Sequence, residues 1–188
     1  MNVGQIKTNA IMRINEYSNK GIVIGTGQNA DYLLRMNGLI NEAQMQIARI
    51  RKIEVNVNLE DPEPIGDYLR FPLPMDFMEF KEIQMDGEIY PYCRVEGNRI
   101  KLPQEVKNRA LELFYYRYPN EITADTPEET ELEVDRDAQA IIPYFVGAYV
   151  MLGENDSIAI QLLNEYNAKL EMLRFNKKNN LRKIRDVR

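Results

Sequence analysis

Histidine and tryptophan are absent from the 188 residues, and Cys93 is the single cysteine. Without imidazole there is no His-based triad, no histidine metal site and no proton shuttle near neutral pH, which removes most hydrolase and oxidoreductase chemistries. One cysteine allows no intrachain disulfide, and a lone thiol is most often a small apolar core residue. Long apolar runs are missing too. The longest, Ala140 to Leu152, has 13 residues and contains Pro143 and Gly147, well short of the ~20 needed to cross a bilayer, so it reads as a buried helix. The opening Met1-Asn2-Val3-Gly4-Gln5 has neither the basic stretch nor the apolar core of a secretion signal, so the expectation is a protein made and kept in a cytoplasm.

What is present suits a soluble body: 44% hydrophobic and 28% charged residues are too apolar for a disordered chain. A chain of this length can bury roughly 70% of its unfolded surface without staples. The net charge of -5 hides a division. Lys177 to Arg188 carries six basic residues against Asp186, leaving the preceding body at -10. A body that acidic repels nucleic acid backbone, and only the tail has the clustered Lys and Arg that phosphate binding requires.

Along the chain, Val3, Ile6, Ala10, Ile14 and Tyr17 share one face of an amphipathic helix ending near Asn19-Lys20-Gly21. After a Gly21 to Gly27 segment, Leu33, Met36, Ile40, Ala43, Ile47 and Ile50 form a second helical stripe. Gly25-Thr26-Gly27 before it lacks the Lys of a phosphate loop, and Ala30 stands where a dinucleotide fingerprint needs its third glycine, so it reads as a flexible helix entry. Asp61-Pro62-Glu63-Pro64-Ile65-Gly66 reads as a turn cluster, after which the period becomes strand-like. Strands are predicted over Phe77 to Met85, Glu88 to Val95, Arg99 to Leu102 and Ala110 to Tyr118, joined through Asp86-Gly87 and Gly97-Asn98 turns into a small antiparallel meander. In the last strand Leu111, Leu113 and Tyr115 share one face and Phe114, Tyr116 and Tyr118 the other. Interleaving with Arg117 hints at a base-stacking platform, but Glu112, Glu121 and Asp125 around it favour packing instead.

Eight carboxylates and one base, Arg136, lie between Glu121 and Asp137, and read as a solvated loop. Asp125 to Glu133 does not supply the alternating ligands and glycine of a calcium loop. Asp137 to Leu152 reads as a central helix kinked at Pro143; Gly153 ends it, and Asp156 or Ser157 caps the next, with Ile158, Leu162, Tyr166, Leu170 and Leu173 as its stripe. The short link implies an antiparallel pair. Lys177 to Arg188 reads as a disordered tail, with Leu181, Ile184 and Val187 spaced to order on binding. The expected fold class is α+β: mainly a helical bundle (residues 1–60 and 135–176) with an inserted small antiparallel β-sheet (66–120), an acidic loop (121–134) and a flexible basic C-terminal tail (177–188).

Leu39-Ile40-Asn41-Glu42-Ala43-Gln44, Phe71-Pro72-Leu73-Pro74-Met75-Asp76-Phe77, Leu113-Phe114-Tyr115-Tyr116-Arg117-Tyr118-Pro119 and the Gly153-Glu154-Asn155-Asp156 hinge occur in an order that resembles the head-tail adaptor (connector) proteins of tailed bacteriophages, across most of residues 30 to 175. The resemblance implies a non-enzymatic structural virion protein without cofactor or metal. It would form a ring of about twelve copies beneath the portal, join capsid to tail or neck proteins, and let genome DNA pass through without specific binding or any membrane contact. The protein would belong to the virion, with the host cytoplasm as its place of assembly. An acidic body suits a channel past which DNA slides. The resemblance gives the tail the portal contact, through Lys177, Lys178, Leu181, Arg182, Lys183, Ile184, Arg185 and Arg188.

Two readings of other classes compete. One is a nucleic-acid-associated regulator using the basic tail and the Ile6 to Tyr17 helix, whose DNA binding would be salt-dependent. The other is a metal-assisted enzyme with Glu128, Glu129, Glu131 and Glu133 as ligands.

Overall fold

A computed structural model describes the backbone of residues 1–17 and 30–185 and the side chains of 1–15, 32, 33 and 35–175. The readings of Asn19-Lys20-Gly21, Gly25-Thr26-Gly27, Val187 and Arg188 lie outside these residues. The chain divides into two compact units, one of Met1–Arg51 with Pro119–Arg188 and one of Lys52–Tyr118.

The first unit holds helices α1 (Val3–Tyr17), α2 (Ala30–Ala48), the single turn α3 (Arg136–Gln139), α4 (Ile142–Met151) and α5 (Asp156–Arg185). α1 begins in a reciprocal cap: the Asn2 side chain accepts from the Gln5 N–H at 2.8 Å while the Asn2 N–H reaches Gln5 Oε1 at 3.1 Å. Its next orphan donors go to the acidic segment, Val3 N–H to Thr130 O at 3.0 Å and Gly4 N–H to Glu128 O at 2.9 Å. Val3, Ile6, Ala10 and Ile14 are fully buried, as are Met36, Ile40, Ala43 and Ile47 on α2.

α4 buries eight of its ten residues, so it is the element the others pack on. Gly147 allows that packing, since a Cβ there would lie 3.2 Å from Leu162 Cδ1 and 3.3 Å from Ala10 O. The expected single helix from Asp137 is two helices. α3 ends at Gln139, and Pro143 stands in the first turn of α4, where its missing N–H costs nothing. Gly153, at φ +86, ends the connection. Asn155, rather than Asp156 or Ser157, caps α5 by accepting from the Ile158 N–H at 3.3 Å. Asp156 instead accepts from the Gly153 N–H at 3.0 Å.

The second unit contains eight strands: β1 (Ile53–Asn58), β2 (Glu63–Ile65), β3 (Tyr68–Pro72), β4 (Phe77–Met85), β5 (Glu88–Ile89), β6 (Arg94–Glu96), β7 (Arg99–Pro103) and β8 (Leu111–Arg117). They form two antiparallel four-stranded sheets, ordered β1-β8-β4-β5 and β2-β3-β7-β6. Leu69, Phe71, Ile100 and Leu102 of one and Ile83, Leu111, Leu113 and Tyr115 of the other share a single core, so the sheets close on a common apolar interior. The first and last strands pair, Ile53 opposite Arg117 through Asn58 opposite Glu112.

These observations correct the expected fold class. The protein is α+β, but it is not a mainly helical bundle carrying a small meander: two full sheets make a body with its own core. Three strands went unread. β1 lies in the stretch assigned to helix, its Ile, Val and Asn alternation too short to stand out. β2 hides in the turn cluster because Pro64 sits on an edge strand, where no N–H is needed. β3 was hidden between prolines. The expected strand Glu88 to Val95 is split, since Pro91 cannot donate to a ladder and the chain there leaves one sheet for the other. The backbone of α5 continues helically to Arg185.

Candidate functional site

The acidic segment is built into the first unit rather than solvated along its length. Ile122, Leu132 and Val134 are buried in the helical core. The buried Asn41 side chain pairs with the backbone of Ile122 in both directions, donating at 2.9 Å and accepting at 2.8 Å. Gln139 Nε2 donates to Leu132 O at 2.9 Å and to Val134 O at 2.7 Å, and its Oε1 accepts from the Met1 ammonium. These roles of Asn41 and Gln139 were not legible, because a polar residue on an apolar stripe carries no sign of which backbone it meets.

Two of the four nominal metal ligands are occupied otherwise. Glu128 pairs with Lys7 at 2.5 Å, and Glu133 accepts from the Asn120 N–H at 2.7 Å and Nδ2 at 3.0 Å. Among the described residues no three Asp, Glu or Cys side chains are grouped to hold a metal ion. A cavity of about 600 Å³ beside Glu128 and Glu129 is lined also by Met1, Asn2, Gly4, Gln5, Thr8 and Asn9.

Cys93 is half-buried, and loss of solvent pushes its thiol above the usual cysteine range, which disfavours the reactive thiolate. It borders a cavity of about 370 Å³ with Tyr68, Tyr92, Arg94 and Lys101. The Lys101 ammonium lies 4.1 Å from the Tyr68 ring centroid. The aromatic strand β8 points Phe114 and Tyr116 to an outer face where Lys81 lies 5.9 Å from the Phe114 ring and Lys52 4.6 Å from that of Tyr116. Lysine stems cover these rings, so they do not form a bare stacking platform. The cluster of Tyr68, Arg94 and Lys101 was missed, although Arg99-Ile100-Lys101-Leu102 shows the basic and apolar alternation that produces it.

The segment expected to dock lies on α5, a helix of 30 residues, about 45 Å long at 1.5 Å per residue. Ile158, Leu162, Tyr166, Leu170 and Leu173 are buried as the spacing required. Lys177, Lys178, Leu181, Arg182, Lys183, Ile184 and Arg185 continue the same helix. Met172 and Phe175, 66% and 62% exposed, leave apolar surface just before this basic run. The residues expected to dock from Lys177 to Arg185 thus share a helical backbone with the buried stripe of α5. No protein-family model matches the chain, and no curated protein matches it.

Proposed function

We propose that the protein is a head-tail adaptor of a tailed bacteriophage, a structural virion component that sits as a ring beneath the portal and forms part of the DNA channel. The observation that carries the reading is the division of charge along the chain: six basic residues follow Phe175, five of them within α5, in a chain whose preceding body stands at -10. A basic run of this kind suits an acidic partner surface, and an acidic body suits a channel past which DNA slides. The order of the four resembling stretches supports the same conclusion. On this reading Lys177, Lys178, Arg182, Lys183, Arg185 and Arg188 supply charge, and Leu181 and Ile184 supply apolar contact, to the portal.

Native mass spectrometry of the full chain, and of a chain ending at Phe175, mixed with a matching portal ring tests this. Binding of the full chain in a fixed multiple, lost on truncation, is the expected result. Failure of the folded full chain to bind overturns the adaptor reading, and equal binding by the truncated chain overturns the role of the basic run.

A further inference from the structure

The two sheets of the second unit turn outer faces of opposite charge to solvent. In the sheet β2-β3-β7-β6, Leu69, Phe71, Ile100 and Leu102 point into the core, so alternation sends their neighbours outward. Register places Arg70 opposite Lys101, Arg94 opposite Lys101, and Glu96 opposite Arg99 on that outer face. Glu63 bonds Arg99 across β3, and Glu96 lies 3.5 Å from Arg94. Arg70 and Lys101 have no carboxylate partner among the described residues.

The sheet β1-β8-β4-β5 shows the reverse. Its outer face carries Glu54, Glu79, Glu82 and Glu112 against Lys52 and Lys81. Two ion pairs tie together the strands flanking β8, Lys52 to Glu79 and Lys81 to Glu54. Glu82 and Glu112 accept amide hydrogen bonds, from Gln84 Nε2 at 2.9 Å and from Asn56 Nδ2, and Glu82 also acts on the Lys81 charge, whose hydrogen bond goes to Glu54. Each face therefore holds two formal charges that its own sheet does not neutralise, positive on one and negative on the other. Exposed apolar side chains accompany both: Ile65 and Tyr92, 43% and 68% exposed, by the basic face, and Ile89, 67% exposed, on the acidic one.

Building on the adaptor reading, we propose that the Arg70 and Lys101 face of one copy docks on the Glu82 and Glu112 face of a second copy. Two different patches of one molecule that complement each other make a heterologous contact, and such contacts generate closed rings when their rotation closes. Nucleic acid suits the basic face less well, because Glu63 and Glu96 lie on it and a backbone of phosphates needs a continuous cationic track. A neighbour's acidic face matches it in sign and number.

The test uses the full chain with Arg70→Glu/Lys101→Glu, with Glu82→Lys/Glu112→Lys, and an equimolar mixture of the two, followed by sedimentation velocity at 50 and 500 mM salt. Circular dichroism confirms folding, and the milder Lys101→Gln and Glu112→Gln substitutions serve where a reversal does not fold. The wild type is expected to self-associate more weakly at high salt. Each reversal alone should weaken association by at least about tenfold, and the mixture, one component acidic on both faces and the other basic on both, should associate again. A wild type that stays monomeric at every concentration, reversals that associate like the wild type, or a mixture that fails to recover overturns the proposal. Retained binding of the reversals to the portal ring would in that case keep the adaptor reading. A shift of single-stranded dT30 that disappears in Arg70→Glu/Lys101→Glu would assign the basic face to nucleic acid and overturn the pairing of copies.

Discussion

Gln139 joins three stretches of chain with one side chain: the amino terminus, the acidic segment at Leu132 and Val134, and α3. Gln139→Ala removes the donor from two backbone carbonyls in a buried site, and unfolding in denaturant should show a loss of about 2 to 4 kcal/mol. Gly147 makes the opposite point, since here the missing side chain matters. Alanine would raise helix propensity by ~1 kcal/mol, but its Cβ meets the backbone of Ala10 at 3.3 Å, which does not yield as a side chain can. Gly147→Ala should therefore be destabilising by about 1 to 2 kcal/mol and Gly147→Val by more. Tyr90, Tyr115 and Tyr166 have hydroxyls pushed up to about 12, each by burial first, with Glu105 and Asp76 adding to the shift at Tyr90 and Tyr115. The neutral phenol is favoured in the folded state, so the unfolded chain loses its protons first as pH rises from 10. Stability from these groups is full below pH 10 and is lost between about 10 and 12. Thermal melts across that range should show a falling midpoint, and Tyr166→Phe should flatten the fall; a midpoint unchanged from pH 9 to 11.5 would contradict it.

Pro143 shows how a correct residue can yield the wrong element. A proline inside an apolar run reads as a kink, yet here it opens α4 after the separate turn α3. Pro143→Ala should therefore change stability by less than about 1 kcal/mol, measured by urea unfolding, whereas a proline bending one continuous helix would give a clear gain on removal. The helical stripes were legible because burial on one side forces a three-to-four repeat over many residues, and Ile158 through Leu173 follow it. Three strands, β4, β7 and β8, and the Asp86-Gly87 and Gly97-Asn98 turns were legible through alternation and residues that accept positive φ. β1, β2 and β3 were not, because short strands contain few alternations and prolines at Pro64 and Pro72 mask β2 and β3. The basic run was legible as composition but not as helix, since the apolar row Leu181 and Ile184 is sparse. The two charged sheet faces needed the register, which no local pattern supplies.

At the scale of the molecule, the pairing of Ile53 with Arg117 sets how the two units are joined in sequence. Residues facing one another across an antiparallel pair have Cα atoms ~5 Å apart, so the β unit leaves and rejoins the helical unit's chain at nearly one point. The helical unit has its own buried cluster from Val3 to Leu173, to which the acidic segment after Pro119 contributes Ile122, Leu132 and Val134. Each unit thus carries the apolar interior that independent folding requires. A chain in which residues 53–117 are replaced by a glycine linker of about three residues, long enough to span ~5 Å with slack, should keep its helical circular dichroism and melt cooperatively. It retains α5 and its basic run, so it should still bind the portal ring, but it has lost both charged sheet faces and should no longer self-associate. Portal binding without self-association would divide the two tasks between the two units. A deletion chain that fails to fold would show instead that the helical unit depends on the sheets, and one that folds and still assembles would move the contact between copies onto the helices.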